Sequence, residues 1–152
     1  KIFNATGEEV QKLAKKEADN WVNIYQRDDW NFISAYVIDD RHFLVLPYFE
    51  VPSNKSQRDS LVHGERNSLL WEALARIANA GYAHDDIKWH HVGMIRTQNN
   101  KRDRHENCSW EDKAFILDLG DEYLRPLQPD ERDSWVSDRF KFLKGRTAGA
   151  TQ

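Results

Sequence analysis

Hydrophobic residues near the start of the chain follow a helical spacing. From Val10 to Tyr25 they recur every three or four positions, which predicts an amphipathic helix over about residues 7–26. Thr6 and Glu9 form a T-x-x-E capping box, a pattern typical of a helix start. The first element is therefore predicted to be a helix with one buried face.

The spacing then changes to one that favours strands. Positions 32–38 and 43–48 are rich in aromatic and branched residues, and Asp39 and Asp40 lie between the two runs. We expect an antiparallel hairpin with its turn at the two aspartates. The prolines that follow predict an extended connector over 47–52.

The second half of the chain predicts two more helices, two short strands and polar loops. They are a loop over 53–60, a helix over 65–80, strands over 92–95 and 114–117 joined by a hydrophilic excursion over 96–113, and a helix over 131–143. Gly81 stands where a glycine ends a helix. Trp21, Trp71 and Trp135 are expected to pack in the core.

Length and composition bound the class of protein. The 152 residues suit one domain, which we place over 1–143 with a flexible tail over 144–152. The single cysteine, Cys108, cannot form an internal disulfide, and no apolar run is long enough to cross a bilayer. With mixed charges and a net charge of -3, no basic patch stands out. We expect a soluble intracellular α+β domain, in cytoplasm or nucleus, without nucleic-acid or membrane partners.

Candidate chemistry is concentrated in two segments. The first reads His84-Asp85-Asp86-Ile87-Lys88-Trp89-His90-His91-Val92, and the second reads Phe115-Ile116-Leu117-Asp118-Leu119-Gly120. Phosphoryl transfer uses a carboxylate to orient the attacking hydroxyl, a cation near the transferred phosphate, and a second carboxylate for magnesium. Asp86, Lys88 and Asp118 supply these three groups.

The same segments resemble the protein-kinase-like superfamily. Its catalytic loop reads H-x-D-x-K-x-x-N, which His84, Asp86 and Lys88 match, and its D-F-G metal loop is similar to Asp118-Leu119-Gly120. The W-x-H-V sequence after Lys88 also resembles kinase-like domains of Crinkler-type effector proteins from oomycetes and fungi. The order of helix, hairpin, connector and long helix before the catalytic loop matches this resemblance.

The resemblance implies roles for further residues and two ligands, ATP and Mg²⁺. Lys1 and Glu17 would form the ion pair that orients the phosphates. Tyr48 and Glu50 would contact the nucleotide along the connector, and His91 replaces the asparagine that holds a second metal ion. Imidazole is a poor ligand for magnesium. Asp86 and Lys88 would be catalytic, Asp118 would bind metal, and a protein would be the substrate or partner.

The sequence also departs from the kinase pattern. No glycine-rich loop precedes Lys1, and the segment after Gly120 is short, so the resemblance implies an abbreviated fold. An alternative is therefore an inactive, pseudokinase-like interaction module of an effector, able to self-associate into a homo-oligomer. As an effector it would act inside a host cell. A further alternative is a metal-dependent nuclease, because Asp86-Ile87-Lys88 and Glu111-Asp112-Lys113 each match an acid-x-lysine pattern.

Overall fold

The computed structural model describes residues 1–27, 30–64, 66–98 and 110–147, which form a mixture of helices and antiparallel strands. The α+β class is therefore confirmed. In chain order the elements are β1 (Ile2–Phe3), α1 (Glu8–Tyr25), β2 (Ala35–Ile38), β3 (Arg41–Leu44), α2 (Lys55–His63), α3 (Asn67–Asn79), β4 (Tyr82–His84), β5 (Val92–Gln98), β6 (Trp110–Ile116), β7 (Leu124–Pro126) and α4 (Arg132–Lys144).

The chain groups into two compact units. The first consists of Lys1–Pro47, Ala75–Asp86 and Asp118–Val136. The second consists of Tyr48–Leu74, Ile87–Leu117 and Ser137–Gln152. Both segments that carry the candidate chemistry are divided between the units. The first segment is divided after Asp86, and the second is divided before Asp118.

The first unit contains a three-stranded sheet in the order β1-β3-β2. The predicted hairpin is confirmed, since β2 and β3 pair antiparallel from Ala35 opposite Leu44 to Ile38 opposite Arg41. Asp39 and Asp40 form the turn, each with a positive φ, a conformation that aspartate tolerates better than most residues. Strand β3 ends at Leu44, earlier than the predicted end at residue 48.

Helix α1 buries the face that the sequence predicted. Val10, Ala14, Ala18 and Trp21 are at most 9% exposed, whereas Leu13, expected on the same face, is 49% exposed. The helix start differs from the prediction because Gly7, with φ 103°, occupies the N-cap and no side chain caps the helix. The prediction of a Thr6–Glu9 capping box is therefore wrong.

Trp21 also belongs to an aromatic cluster at the end of α1. Its ring centroid lies 5.5 Å from that of Tyr25 and 6.1 Å from that of Trp30. All three side chains are at most 6% exposed. Such tilted and edge-on pairs stabilise a core beyond the area they bury, so the cluster fixes the C-terminal half of α1.

A second, two-stranded sheet of the first unit was not predicted. After α3, Gly81 adopts φ 90° as expected of a glycine that ends a helix, and β4 follows at once. Strand β4 pairs antiparallel with β7, with Tyr82 opposite Pro126 and His84 opposite Leu124. The catalytic-loop candidates therefore follow a strand, not a helix end.

The second unit is built around the antiparallel hairpin β5–β6, which pairs from Val92 opposite Ile116 to Gln98 opposite Trp110. Both strands are longer than predicted, so the expected excursion over 96–113 is in part strand. Glu50 forms an antiparallel bridge with Met94 through backbone hydrogen bonds of 2.9 and 2.8 Å.

Glycine at position 93 is required by close packing. A Cβ atom there would lie 2.8 Å from Phe49 Cβ and 2.9 Å from Leu117 Cδ2, both in the second unit. Phe49 also contacts Phe115, with ring centroids 5.6 Å apart. The connector is thus anchored by Phe49 on β5 and β6.

Other corrections concern polar segments. The loop predicted over 53–60 is largely α2, whose N-cap Asn54 accepts a hydrogen bond from the Gln57 backbone N–H at 2.9 Å. Trp71, expected in the core, is 42% exposed and contacts Phe140 edge-on. Cys108 and residues 148–152 of the predicted tail lie outside the described residues. Within the described ranges, no helix is long and apolar enough to cross a membrane.

Candidate functional site

Strand β1 places the Lys1 side chain at the centre of a polar cluster in the first unit. The backbone of Lys1 pairs with Leu44 through hydrogen bonds of 2.8 and 2.9 Å, which fixes its position on the sheet. Its Nζ then donates to Glu17 Oε2 at 2.8 Å and to Asp118 Oδ1 at 3.4 Å. One ammonium group therefore joins a strand, a helix and the 118–121 segment.

Glu17 is the buried member of this ion pair. It is 1% exposed, and its Oε1 has no hydrogen-bond partner within the described part of the chain. Burial raises the pKa of the Glu17 carboxyl, and this effect exceeds the opposing attraction of Lys1. A buried carboxylate with an unsatisfied oxygen costs stability.

The pKa of Lys1 is also raised, but here the attraction of the partner prevails over burial. Burial alone would lower the pKa of the Lys1 ammonium, but the hydrogen bond and charge of Glu17, with a contribution from Asp118, raise it overall. Lys1 is therefore positively charged at neutral pH.

His84, fully buried, links the two candidate segments within the first unit. The backbone N–H of Asp86 donates to His84 Nδ1 at 3.2 Å, so the proton of the neutral ring is on Nε2. His84 Nε2 then donates to the Asp118 carbonyl oxygen at 3.0 Å. The Tyr123 ring stacks on His84 at 5.5 Å with an interplanar angle of 2°. His84 therefore fixes the backbone of both Asp86 and Asp118.

Asp118 has a left-handed backbone, with φ 57°, and its side chain is 37% exposed. Aspartate adopts this conformation more readily than most residues. Gly120, two residues later, does not have a positive φ. A Cβ there would instead lie 2.5 Å from the carboxylate of Glu122, so Gly120 leaves room for that side chain.

Asn20 is a buried polar residue that the sequence reasoning missed. It lies on the buried face of α1, one turn after Glu17, is 1% exposed, and its Nδ2 donates to the Leu119 carbonyl oxygen at 2.7 Å. The sequence offers only a weak signal for it, because Glu17 and Asn20 lie beside the apolar stripe, whose width the spacing does not give. We call Lys1, Glu17, Asn20, His84 and Asp118 the polar junction.

The remaining candidate residues belong to the second unit. Lys88 precedes a 3₁₀ turn at Trp89–His91, and its carbonyl oxygen accepts from the His91 backbone N–H. His91 is 4% exposed, with its ring 4.1 Å from that of His90. The roles expected for Lys88 and His91 stay predictions.

Tyr48 and Glu50 line a cavity of the second unit, about 450 Å³ in volume, together with Arg66, Arg96 and Asp112. Tyr48 is 86% exposed. Asp112, a candidate for the nuclease alternative, forms ion pairs with Arg66 at 2.9 Å and with Arg96 at 3.6 Å. Its carboxylate is thus engaged by two guanidinium groups.

Within the polar junction, Asp118 is the residue that could hold a magnesium ion. Mg²⁺ is commonly held by one or two protein carboxylates together with substrate phosphates, and Asp118 offers one partly exposed carboxylate beside the Lys1 ammonium. Among the described residues, no group of three or more His, Cys, Asp or Glu side chains could hold a metal ion.

Comparison with known proteins gives a family without an assigned activity. No curated protein and no solved structure matches the chain significantly. The sequence profile of DUF5898, described as a family of unknown function, matches residues 1–95, a span that includes Lys1, Glu17, His84 and Asp86. Because this match covers more than half of the chain, the chain belongs to the DUF5898 family.

Proposed function

We propose that this chain is a protein-kinase-like domain that binds ATP with magnesium and transfers the γ-phosphoryl group to a hydroxyl group of a protein. The observation that carries the proposal is the Lys1 ammonium, held 2.8 Å from Glu17 and 3.4 Å from Asp118. A phosphoryl-transfer site requires such a fixed cation next to a carboxylate that can hold metal.

Lys1 and Glu17 would orient the phosphates. The Lys1 side chain is 29% exposed, so its ammonium can reach a ligand while Glu17 holds it from the buried side. Its raised pKa keeps the charge in place at neutral pH. Fixed charges of this kind stabilise a transition state because they need no reorganisation during the reaction.

Asp118 would hold the magnesium ion, and Asp86 would orient the acceptor hydroxyl. Magnesium, when bound, neutralises charge on the phosphates. The hydroxyl oxygen would form the new P–O bond as the bond from the γ-phosphorus to the β–γ bridging oxygen breaks. The hydroxyl proton would pass to Asp86, and ADP would leave. His84 supports this division of roles, since it fixes the backbone of both residues.

Three features of the second unit remain part of the proposal as predictions. Lys88 would stabilise developing charge on the transferred group. Tyr48 and Glu50 would contact the nucleotide, and both line the cavity of the second unit.

Nucleotide binding is tested by thermal-shift titration with Mg²⁺ and ATP. We expect saturable stabilisation of the wild type, and its loss in Asp118→Asn. Asp40→Asn is a matched control, because Asp40 is also an aspartate with a positive φ, 59°, and lies at the exposed hairpin turn. Equal shifts in Asp118→Asn and the wild type, or no wild-type shift, would refute the proposal.

Transfer is tested with γ-labelled ATP and a generic protein substrate. Asp86→Asn should reduce incorporation by about 100-fold or more, since general-base catalysis contributes on that order. Asp85→Asn is the neighbouring control, because Asp85 pairs with Arg125 at 2.9 Å. Equal incorporation by the two variants would contradict the role of Asp86.

An inactive interaction module is a second candidate, and one observation favours it. Ile2, Tyr36 and Ile38 lie on the same face of the three-stranded sheet and are 58%, 39% and 60% exposed. Exposed apolar patches often mark contact surfaces. Binding of ATP without transfer, with self-association in sedimentation that Ile38→Asp abolishes, would favour this candidate.

A further inference from the structure

Asn20 is a polar residue on the buried face of α1, where an apolar residue would be expected. It is 1% exposed on the packed face of α1, and burying an amide costs free energy unless its hydrogen bonds are made. Its Nδ2 lies 2.7 Å from the Leu119 carbonyl oxygen and 3.3 Å from Asp121 Oδ1. Since both neighbours only accept hydrogen bonds, the nitrogen of the amide must face them.

These bonds act on the two peptide groups that follow Asp118. His84 Nε2 holds the carbonyl of the peptide between residues 118 and 119 at 3.0 Å, and Asn20 holds the carbonyl of the next peptide. With both peptide planes fixed, the chain cannot rotate freely on the C-terminal side of the Asp118 Cα. The backbone on the C-terminal side of Asp118, a residue whose own φ is left-handed, is thus held by two buried side chains from different elements.

Helix α1 therefore contacts the 118–121 segment in two ways. Glu17 acts through the Lys1 ammonium, and Asn20 bonds directly to the backbone. One turn of the helix separates the two residues, so they share one face. The direction of the Asp118 carboxylate is consequently tied to the position of α1.

We propose that Asn20 is a positioning residue that aims the Asp118 carboxylate at the cation that accompanies ATP. This inference rests on the proposed function. Asn20 touches neither nucleotide nor metal in this role. It sets the backbone that carries the metal ligand, and its loss weakens metal-dependent binding more than binding of the nucleotide alone.

The experiment measures ATP affinity by calorimetry over a series of Mg²⁺ concentrations and in EDTA. In Asn20→Leu, half-maximal stimulation of ATP binding should need about tenfold more Mg²⁺ than in the wild type. The affinity for ATP in EDTA should be unchanged. Asn23→Leu is the matched control, since Asn23 is an exposed asparagine of the same helix. A purely structural role would weaken both affinities together, and that result would overturn the inference.

A milder variant guards against failure to fold. Asp121→Asn removes only the charge of the second acceptor, at an exposed residue, and should raise the Mg²⁺ requirement by about two- to threefold. An unchanged requirement in both variants would overturn the inference while leaving the proposed function intact.

The outcomes also separate this inference from the proposed function. If the wild type binds no ATP at any Mg²⁺ concentration, the proposed function fails. Amide hydrogen exchange of residues 119–123 then decides on Asn20. Faster exchange in Asn20→Leu than in Asn23→Leu would support the claim that Asn20 fixes the 118–121 backbone. Equal exchange in the two variants would overturn that claim too.

Discussion

The polar junction of the first unit and the packing around Gly93 in the second unit hold their backbones by opposite means. In the junction, the fully buried side chains of Glu17, Asn20 and His84 are polar and act on Lys1 and the 118–121 segment. Around Gly93, backbone and apolar side chains pack directly. Replacing a buried ion pair with well-packed apolar residues is often neutral or stabilising. The junction therefore keeps costly groups in a defined geometry, which is typical of functional sites.

The largest effect that tests this comparison is expected at Gly93. Gly93→Ala would place a methyl group 2.8 Å from Phe49 Cβ and 2.9 Å from Leu117 Cδ2, and Phe49 Cβ is bonded directly to the backbone, so it cannot rotate out of the way. We expect a loss of about 2 kcal/mol in the free energy of unfolding, as overpacking typically costs. Urea denaturation monitored by circular dichroism measures it.

Gly145→Ala is the control for that experiment. Position 145 belongs to the same unit, and a Cβ there would lie 3.6 Å from its nearest neighbour, which is ordinary contact. Its free energy of unfolding should stay within about 0.5 kcal/mol of the wild type. Equal stability of both variants would mean that the second unit is not closely packed at Gly93, and the comparison would fail.

The sequence predicted best what depends on long periodic patterns. Helix α1 and the β2–β3 hairpin lie where the spacing placed them. Strands β4 and β7 have three residues each, too few for a period to be read. Helix α2 was missed because it is polar, although Asn54 and Gln57 form a capping pattern that could have revealed its start.

The polar junction could be predicted only in part. Motif order named Lys1, Glu17, His84 and Asp118, but it could not show that Glu17 is buried, because a stripe of apolar residues does not say how wide the covered face is. Asn20 belongs to no motif, since its role depends on a residue 99 positions away in the chain.

A smaller effect, dependent on pH, is expected at Glu17. The pKa of its carboxyl is raised in the folded protein, so the folded state binds this proton more tightly than the unfolded state. Its contribution to stability is therefore full below pH 4.5, the ordinary value for Glu, and is lost as the pH rises through the folded-state pKa. Glutamine cannot lose a proton, so Glu17→Gln removes this dependence.

Denaturation of the wild type and Glu17→Gln from pH 4 to pH 8 measures this difference. Relative to the variant, the wild type should become less stable with rising pH, by an amount on the order of 1 kcal/mol. Glu9→Gln, an exposed change on the same helix, should leave the wild-type profile unaltered. A trend in the opposite direction would show that attraction to Lys1 outweighs burial, and the junction would then be a stabilising ion pair.

The smallest effect is expected at Arg66, in the second unit. Its bond to Asp112 is short, 2.9 Å, but the Arg66 side chain is 43% exposed and that of Asp112 is 33% exposed. Water screens such pairs, and Arg96 at 3.6 Å continues to neutralise Asp112 when Arg66 is removed. Arg66→Ala should therefore cost about 0.5 kcal/mol in urea denaturation, and Arg66→Ala with Asp112→Asn should show little coupling in a double-mutant cycle. A coupling above about 2 kcal/mol would place a strong polar network in the second unit too, and the first unit would no longer be distinguished by its polar junction.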